Sequence, residues 1–324
     1  MNTKYHEFSN EFGEYFSSVT NSLPSQPANL YEPVRYFLGM DGKRIRPLLV
    51  LIAADCFGGN VHKALPAAAA VELFHNFSLI HDDIMDKAPL RRGNATVHEK
   101  WNQNIAILSG DVLLVKAYQQ IAEHSNKEVN AIFSQTAIEV CEGQQWDMDF
   151  ENRDNVTLKE YLHMIRLKTA VLLAGSLQIG ALCAGAGHKE SSVFYSAGEN
   201  LGIAFQLTDD FLDVFGNASK TGKQEAGDII ANKKTWLLLR AYELATNDQK
   251  EKLNKWLKKN DGNASEKVRE VKKIFTDLGV HTELEKQIDA YYQKAFTDLR
   301  AACPNAEKIE VFIDFIKTLA KREK

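Results

Sequence analysis

The segment LPAAAAVELFHNFSLIHDDIM, residues 65–85, constrains the chain more than any other. It is rich in alanine and leucine, which give up little on entering a helix, and it is too long for a strand. Residues 105–124, 129–150, 158–185 and 193–216 read the same way, and TELEKQIDAYYQKAFTDLRAA (282–302) is amphipathic at helical spacing. No sustained alternation with hairpin turns accompanies them, and only seven prolines occur in 324 residues, so long helices are unobstructed. The expected class is all-α. Glycine, asparagine and proline gather at 39–47, 86–98 and 216–235, which read as loops. No low-complexity linker divides the chain, so residues 1–324 are expected to form a single helical domain.

Composition excludes several function classes. A net charge of −4 is too mild to imply a nucleic-acid partner or an anionic membrane surface. The most apolar stretch, AVLLAGSLQIGALCAGAG (170–187), is interrupted by Ser176 and Gln178, and reads as a buried core helix, not a membrane span. The N-terminal MNTKYHEFSNEFGEYF lacks a basic start followed by an apolar stretch, so no signal peptide is expected. Cys56, Cys141, Cys183 and Cys303 are far apart and form no CxxC pair. They read as buried free thiols in a reducing, cytoplasmic setting.

One feature recurs. An apolar helix ends in Asp-Asp-x-x-Asp at 82–86 and again at 209–213. Positions i and i+4 share a helix face and i+1 lies within reach of it, so Asp82, Asp83 and Asp86 form one acidic face, and Asp209, Asp210 and Asp213 another. Like charges at that spacing repel, and the C-terminal end of a helix disfavours negative charge. The arrangement is doubly unfavourable unless a cation neutralises it. Several carboxylate oxygens and no softer ligand suit Mg²⁺, which keeps waters and bridges to phosphate.

The basic residues are equally localised. Lys43, Arg44 and Arg46 occupy a glycine-containing loop, Arg91 and Arg92 follow the first motif, and Lys220, Lys223, Lys233 and Lys234 follow the second. His75 lies two turns before Asp82 on the same side of its helix, and Lys168 and Thr169 sit inside an apolar helix. The arginine fork matches phosphate oxygens and lysine acts as a point charge. Acidic faces together with separate basic loops suggest two anionic sites, one bridged by metal and one gripped directly, both opening onto an apolar interior. A substrate with a diphosphate head and a hydrocarbon tail meets these conditions.

In order and spacing, DGKRIRP, LIHDDIMDKAPLRRGNATVH, EGQQWD, KT at 168–169, FQLTDDFLDVFG, GKQEAGD and KKT resemble the trans-isoprenyl diphosphate synthases, the farnesyl and geranylgeranyl diphosphate synthase family. These motifs span 41–235. The resemblance implies an isoprenoid-synthase-type helical bundle around a central cavity. It also implies condensation of isopentenyl diphosphate with an allylic diphosphate: dimethylallyl, geranyl or farnesyl. The six aspartates would bind Mg²⁺, up to three ions, with only some of the six touching metal directly. Arg91, Lys168, Lys223 and Lys233 would hold the allylic diphosphate. Lys43, Arg46, His75 and Arg92 would hold isopentenyl diphosphate. Thr169 and Gln206 would line the reacting end, supported by Gln144 and Asp147. The family is usually homodimeric. Trp101, Asn102 and Trp236 depart from the residues more common there.

Product length turns on the first-motif helix. Phe74, Phe77 and Ser78 have i, i+3, i+4 spacing and form a stripe beneath Asp82, with Phe77 about 7.5 Å and Phe74 about 12 Å below it. An aromatic five residues before the motif resembles short- and medium-chain members of the family. Ser78 in place of a second aromatic leaves room, so geranylgeranyl diphosphate (C20) is the expected product and farnesyl diphosphate (C15) the alternative. A class I terpene cyclase, a squalene-type synthase and a regulatory subunit fit less well. They lack, respectively, this second aspartate motif, the Lys43/Arg46 loop, or one of the two motifs.

Overall fold

The computed structural model describes residues 3–216, 226–258 and 264–323. In chain order the elements are α1 (Thr3–Asn21), α2 (Ala28–Leu38), α3 (Ile45–Cys56), a 3₁₀ turn (Val61–Ala64), α4 (Leu65–Met85), β1 (Leu90–Arg91), β2 (Asn94–Ala95), α5 (Val97–Lys100), α6 (Gln103–His124) and α7 (Lys127–Glu151). There follow α8 (Leu158–Ile165), a π-helical turn (Arg166–Ala170), α9 (Val171–Cys183), α10 (His188–Phe215), α11 (Gly227–Ile230), α12 (Trp236–Leu244), α13 (Asn247–Lys258), α14 (Ala264–Asp277), α15 (Val280–Ala302) and α16 (Ala306–Glu323). The class is all-α, as expected. Among the described residues the only sheet is the two-stranded β1–β2 ribbon.

The helix starts are chemically marked. Asn102 accepts from the Ile105 N–H at the head of α6, and Thr157 with Glu160 forms a reciprocal capping box at the head of α8. Proline in the first turn of α4 gives up no needed hydrogen bond there.

The chain divides into two compact units, each assembled from separated segments. The first comprises Met1–Ala137, Gly175–Tyr195 and Ala302–Val311. Its centre is α4, on which Ala67, Ala68, Ala69, Ala70, Val71, Leu73, Phe74 and Ile80 are all at most 1% exposed. The helix packs chiefly on α6, and also on α3. Each fully buried Leu or Phe contributes about 1.5–3 kcal/mol, and Phe74→Ala would cost about 3–5 kcal/mol. The second unit comprises Ile138–Ala174, Ser196–Ala301 and Phe312–Lys324, with a core that includes Leu201, Ala204, Leu207, Leu237, Leu284 and Ala295.

Among the described residues, two helical stretches are long and apolar enough to cross a membrane by length and composition. In Leu158–Cys183, 83% of the apolar window is buried inside the protein, which is a core helix, with Ser176 and Gln178 both buried. In Gln103–His124 only 33% is buried.

Candidate active site

The first aspartate motif closes α4. Asp86 is its C-terminal cap, with its N–H bonded to the Asp82 carbonyl, so the carboxylates stand at the negative end of the helix. The three are not equivalent. Asp82 is half-buried and Asp86 exposed, whereas Asp83 is 1% exposed. Arg91 donates from Nε and Nη2 to Asp83 Oδ1 at 2.9 and 2.5 Å. The other carboxylate oxygen of Asp83 is buried without a hydrogen-bond partner. Burial pushes the Asp83 carboxyl above its ordinary value, against the pull of Arg91.

The β1–β2 ribbon explains how Arg91 reaches back. Arg91 pairs with Asn94, leaving Arg92 and Gly93 as a two-residue turn in which both have positive φ, 52° and 78°. A twisted hairpin turn requires that conformation, which glycine adopts freely and arginine only at a cost. The turn sends the two arginines apart. Arg91 goes to Asp83, while Arg92 lies against the Gly42 loop, donating to the Met40 carbonyl at 3.4 Å.

Near that loop lies a second basic group. Lys43 is exposed, and the half-buried Arg46 reaches His75 Nε2 at 3.0 Å. Arg46 Nε is buried with no hydrogen-bond partner. Burial pushes the Arg46 guanidinium down to about 10, and burial together with Arg46, Arg92 and Arg91 holds His75 well below its ordinary value. No motif announces the counter-charge. Glu72, 3% exposed, accepts from Asn76 at 3.1 Å; burial raises its carboxyl, and Arg44, Arg46 and Arg92 pull the other way. Its i, i+3 and i, i+4 relation to His75 and Asn76 was the available signal.

The second motif lies in the last turns of α10. Asp209 is exposed, and the half-buried Asp213 accepts from the Asp228 N–H at 2.9 Å. Asp210 is 4% exposed and accepts from the Tyr161 hydroxyl, from Gln206 Nε2 at 3.2 Å and from the Trp236 N–H at 3.3 Å. Burial raises its carboxyl to about 7, opposed first by the Tyr161 hydrogen bond. Gln206 in turn accepts from Thr169 at 3.1 Å, so Thr169, Gln206, Asp210 and Tyr161 form one chain of hydrogen bonds. Tyr161 carries no motif and was missed. Trp236 is buried, and its backbone supports the motif from the position where the family pattern is departed from.

Lys168 sits in the π turn and donates to Asp147 at 2.5 Å. Half-buried Gln144 adjoins Gly143, whose hypothetical Cβ would lie 2.2 Å from the Lys168 backbone nitrogen. The glycine of EGQQWD thus lets α7 touch the turn that carries Lys168. Lys233 is exposed, 3.9 Å from Asp228, and Lys234 is tied to the Phe150 carbonyl at 2.6 Å. Lys220 and Lys223 lie outside the described residues.

Below the first motif, Phe74 stands 5.5 Å from Phe77 and 5.8 Å from Phe133, and Phe133 stands 5.2 Å from Tyr118. The stripe read on α4 is therefore part of an aromatic cluster completed by α6 and α7. Ser78 donates its hydroxyl to the His75 carbonyl at 2.9 Å, leaving a small side chain beside Phe77. Trp101 stands edge-on to Tyr36 at 5.3 Å, and Asn102 caps α6, so both departures have structural work.

Among the described residues, no group of three or more His, Cys, Asp or Glu side chains is close enough to hold a metal by itself. The less buried carboxylates form i,i+4 pairs, Asp82 with Asp86 and Asp209 with Asp213, and offer oxygen donors alone. That donor chemistry fits Mg²⁺, a hard cation that takes one or two carboxylates and completes its shell with water and substrate phosphate.

The polyprenyl synthetase family matches residues 27–277. A geranylgeranyl diphosphate synthase of Methanosarcina mazei is 41% identical over 243 residues, covering 73% of this chain and 75% of that protein. A short chain isoprenyl diphosphate synthase of Methanothermobacter thermautotrophicus is 38% identical, covering 85% and 84%. A crystal structure of a geranylgeranyl pyrophosphate synthase, 43% identical, superposes with a TM-score of 0.93 over 100% of both chains. Paired aspartate motifs, hairpin-split arginines and these likenesses agree: the chain belongs to the polyprenyl synthetase family.

Proposed function

We propose that the protein is a chain-elongating prenyltransferase that condenses isopentenyl diphosphate with an allylic diphosphate, 1′-4 and trans, to give geranylgeranyl diphosphate. One observation carries the reading beyond the family. Arg91 and Arg92 are adjacent in sequence yet serve different surroundings, one at the aspartate motif and one at the Gly42 loop. Two anion-binding groups call for two diphosphates. A cyclase, which ionises a single diphosphate, has no use for the second. The chain acts as one polyprenyl synthetase domain in this reading, because the family match runs through segments of both units.

Asp82, Asp86, Asp209 and Asp213 would hold Mg²⁺; Asp83 and Asp210 are engaged in supporting the motifs. When bound, the metal supplies the Lewis acidity that lets a diphosphate leave. Arg91, Lys168 and Lys233, with Lys223, neutralise the charge the leaving group gains. Asp147 orients Lys168, and Thr169 with Gln206 lines the reacting end. Lys43, Arg46, His75 and Arg92 place isopentenyl diphosphate, so that its double bond meets the allylic cation before water does. The proton lost from the new chain goes to the released diphosphate.

The tail runs down α4 until Phe77 and Phe74, backed by Phe133, stop it. Phe77→Ala should lengthen the product, read by mass spectrometry of the extracted prenyl alcohols. An unchanged distribution would move the floor to other helices. Incubation with dimethylallyl, geranyl or farnesyl diphosphate plus isopentenyl diphosphate should give C20; termination at C15 would assign the farnesyl alternative. Hydrocarbon formed from an allylic diphosphate alone would sink the elongation reading.

The reading includes a homodimer in the cytoplasm. Four free thiols are in keeping with that location, although only Cys56 is buried as expected; Cys183 and Cys303 are half-buried and Cys141 is exposed. The exposed face of α6 carries Ile107, Leu108 and Val115, 38%, 58% and 65% exposed, an apolar surface suited to a second copy. Light scattering on the purified chain tests it: a monomeric mass at micromolar concentration removes the dimer.

A further inference from the structure

Two of the four cysteines, 247 positions apart, meet in the first unit. Cys56 ends α3 and is 1% exposed; Cys303 follows α15 and is half-buried. The Cys303 thiol donates to the Cys56 carbonyl oxygen, at 3.6 Å, and to that of Asn305, at 3.3 Å.

The contact is held from both sides. Asp55 accepts from Lys4 at 2.7 Å and from Lys308 at 3.0 Å, and Lys308 also donates to the Asp55 carbonyl at 2.8 Å. Asn305 caps the start of α16, accepting from the Lys308 N–H at 2.9 Å. The residue before Cys56 and the segment after Cys303 are thus tied together, which keeps Cys303 Sγ at the end of α3. Their chemistry is asymmetric. The Cys56 thiol, with the Asn305 backbone and Lys308, draws Cys303 toward the thiolate against burial and Asp55, whereas Cys303 and burial disfavour ionisation of Cys56. A partly exposed thiol with thiolate character beside a buried partner has the makeup of an oxidisable pair.

We propose that Cys56 and Cys303 form a peroxide-sensitive dithiol that closes to a disulfide, tying the α15–α16 connection to the end of α3. The Cys303 thiolate attacks hydrogen peroxide and breaks its O–O bond. Cys303 becomes a sulfenic acid, and the departing hydroxide takes up the thiol proton as water. The Cys56 sulfur then attacks the Cys303 sulfur; the S–O bond breaks and the hydroxyl leaves with the Cys56 proton as a second water. Two thiols lose two electrons, and one peroxide gains them.

The test uses the full chain, with Cys141 and Cys183 as internal controls. It is treated with stoichiometric hydrogen peroxide, blocked with iodoacetamide and mapped by mass spectrometry without reduction. The expected result is a cross-linked Cys56–Cys303 peptide that dithiothreitol abolishes, with Cys141 and Cys183 still alkylated. Cys303→Ser should lose the cross-link, and Cys141→Ser and Cys183→Ser should keep it. The proposal is overturned if Cys56 and Cys303 are both alkylated after peroxide. It is equally overturned if Cys303 proceeds to sulfinic acid without pairing, or if the cross-link joins other cysteines.

Discussion

The two Asp-Asp-x-x-Asp motifs have the same spelling and different support. In each, the middle aspartate is withdrawn into the protein while its neighbours are more accessible. Asp83 is withdrawn onto a charge, Arg91, which burial alone would leave expensive. Asp210 is withdrawn onto neutral donors: a tyrosine hydroxyl, a glutamine amide and a backbone N–H. A repeated motif therefore need not be a repeated device. The first uses its middle carboxylate to fix Arg91, which is proposed to meet substrate, and the second uses it to anchor a hydrogen-bonded chain that ends at Thr169.

The largest effect should come where the motifs are alike. Asp82→Ala and Asp209→Ala each remove a carboxylate proposed to hold metal, and each should lower kcat by at least on the order of 10²–10³-fold. Incorporation of labelled isopentenyl diphosphate measures this, with circular dichroism unchanged. If one variant retained substantial turnover, the two motifs would differ in role as well as in support.

The middle aspartates should differ. Asp83→Asn removes the charge that compensates Arg91 and should cost about 3 kcal/mol. Asp210→Asn keeps an acceptor for Tyr161 and should cost about 1 kcal/mol. Urea unfolding of both variants compares them, and equal losses would mean that the two middle carboxylates are supported alike.

A smaller effect sharpens the charged side. Folded His75 stays neutral well below the value near 6.5 at which it titrates in the unfolded chain. Below about pH 6.5 the unfolded state binds the extra proton, so this contribution to stability is lost as pH falls. It should amount to about 1 kcal/mol at pH 5.5. His75→Gln keeps an acceptor for Arg46 and should flatten the slope between pH 6.5 and 5.5 in thermal melts. An unchanged slope would place the titrating group elsewhere.

Much of this was legible in the chain. The segment read at 65–85 is α4 to the residue, and 105–124 and 129–150 fall within two residues of α6 and α7, because alanine- and leucine-rich periodicity is local. The positions of the motif aspartates and arginines were also readable. Their division of labour was not, since a withdrawn Asp83 and an accessible Asp82 have the same letter. Tyr161 and Glu72 escaped because a lone tyrosine or glutamate on a helix acquires meaning only from what folds against it. The π turn within 158–185 escaped for a related reason: it is a change of backbone pairing that no residue type announces. The four cysteines were rightly read as distant in sequence, and spacing alone could not bring Cys56 to Cys303.

That π turn also sets a limit on length. An α-helix advances about 100° per residue, so the additional residue in a π turn puts everything before it out of phase with everything after it by about that angle. Lys168 and Thr169 sit within the phase change, and Tyr161 lies ahead of it. Shortening 166–170 by one residue would leave a regular, stable helix. It would also swing Tyr161 off the bearing from which its hydroxyl meets Asp210. In this stretch the spacing of residues carries as much information as their identity, and a gap would do more harm than most substitutions.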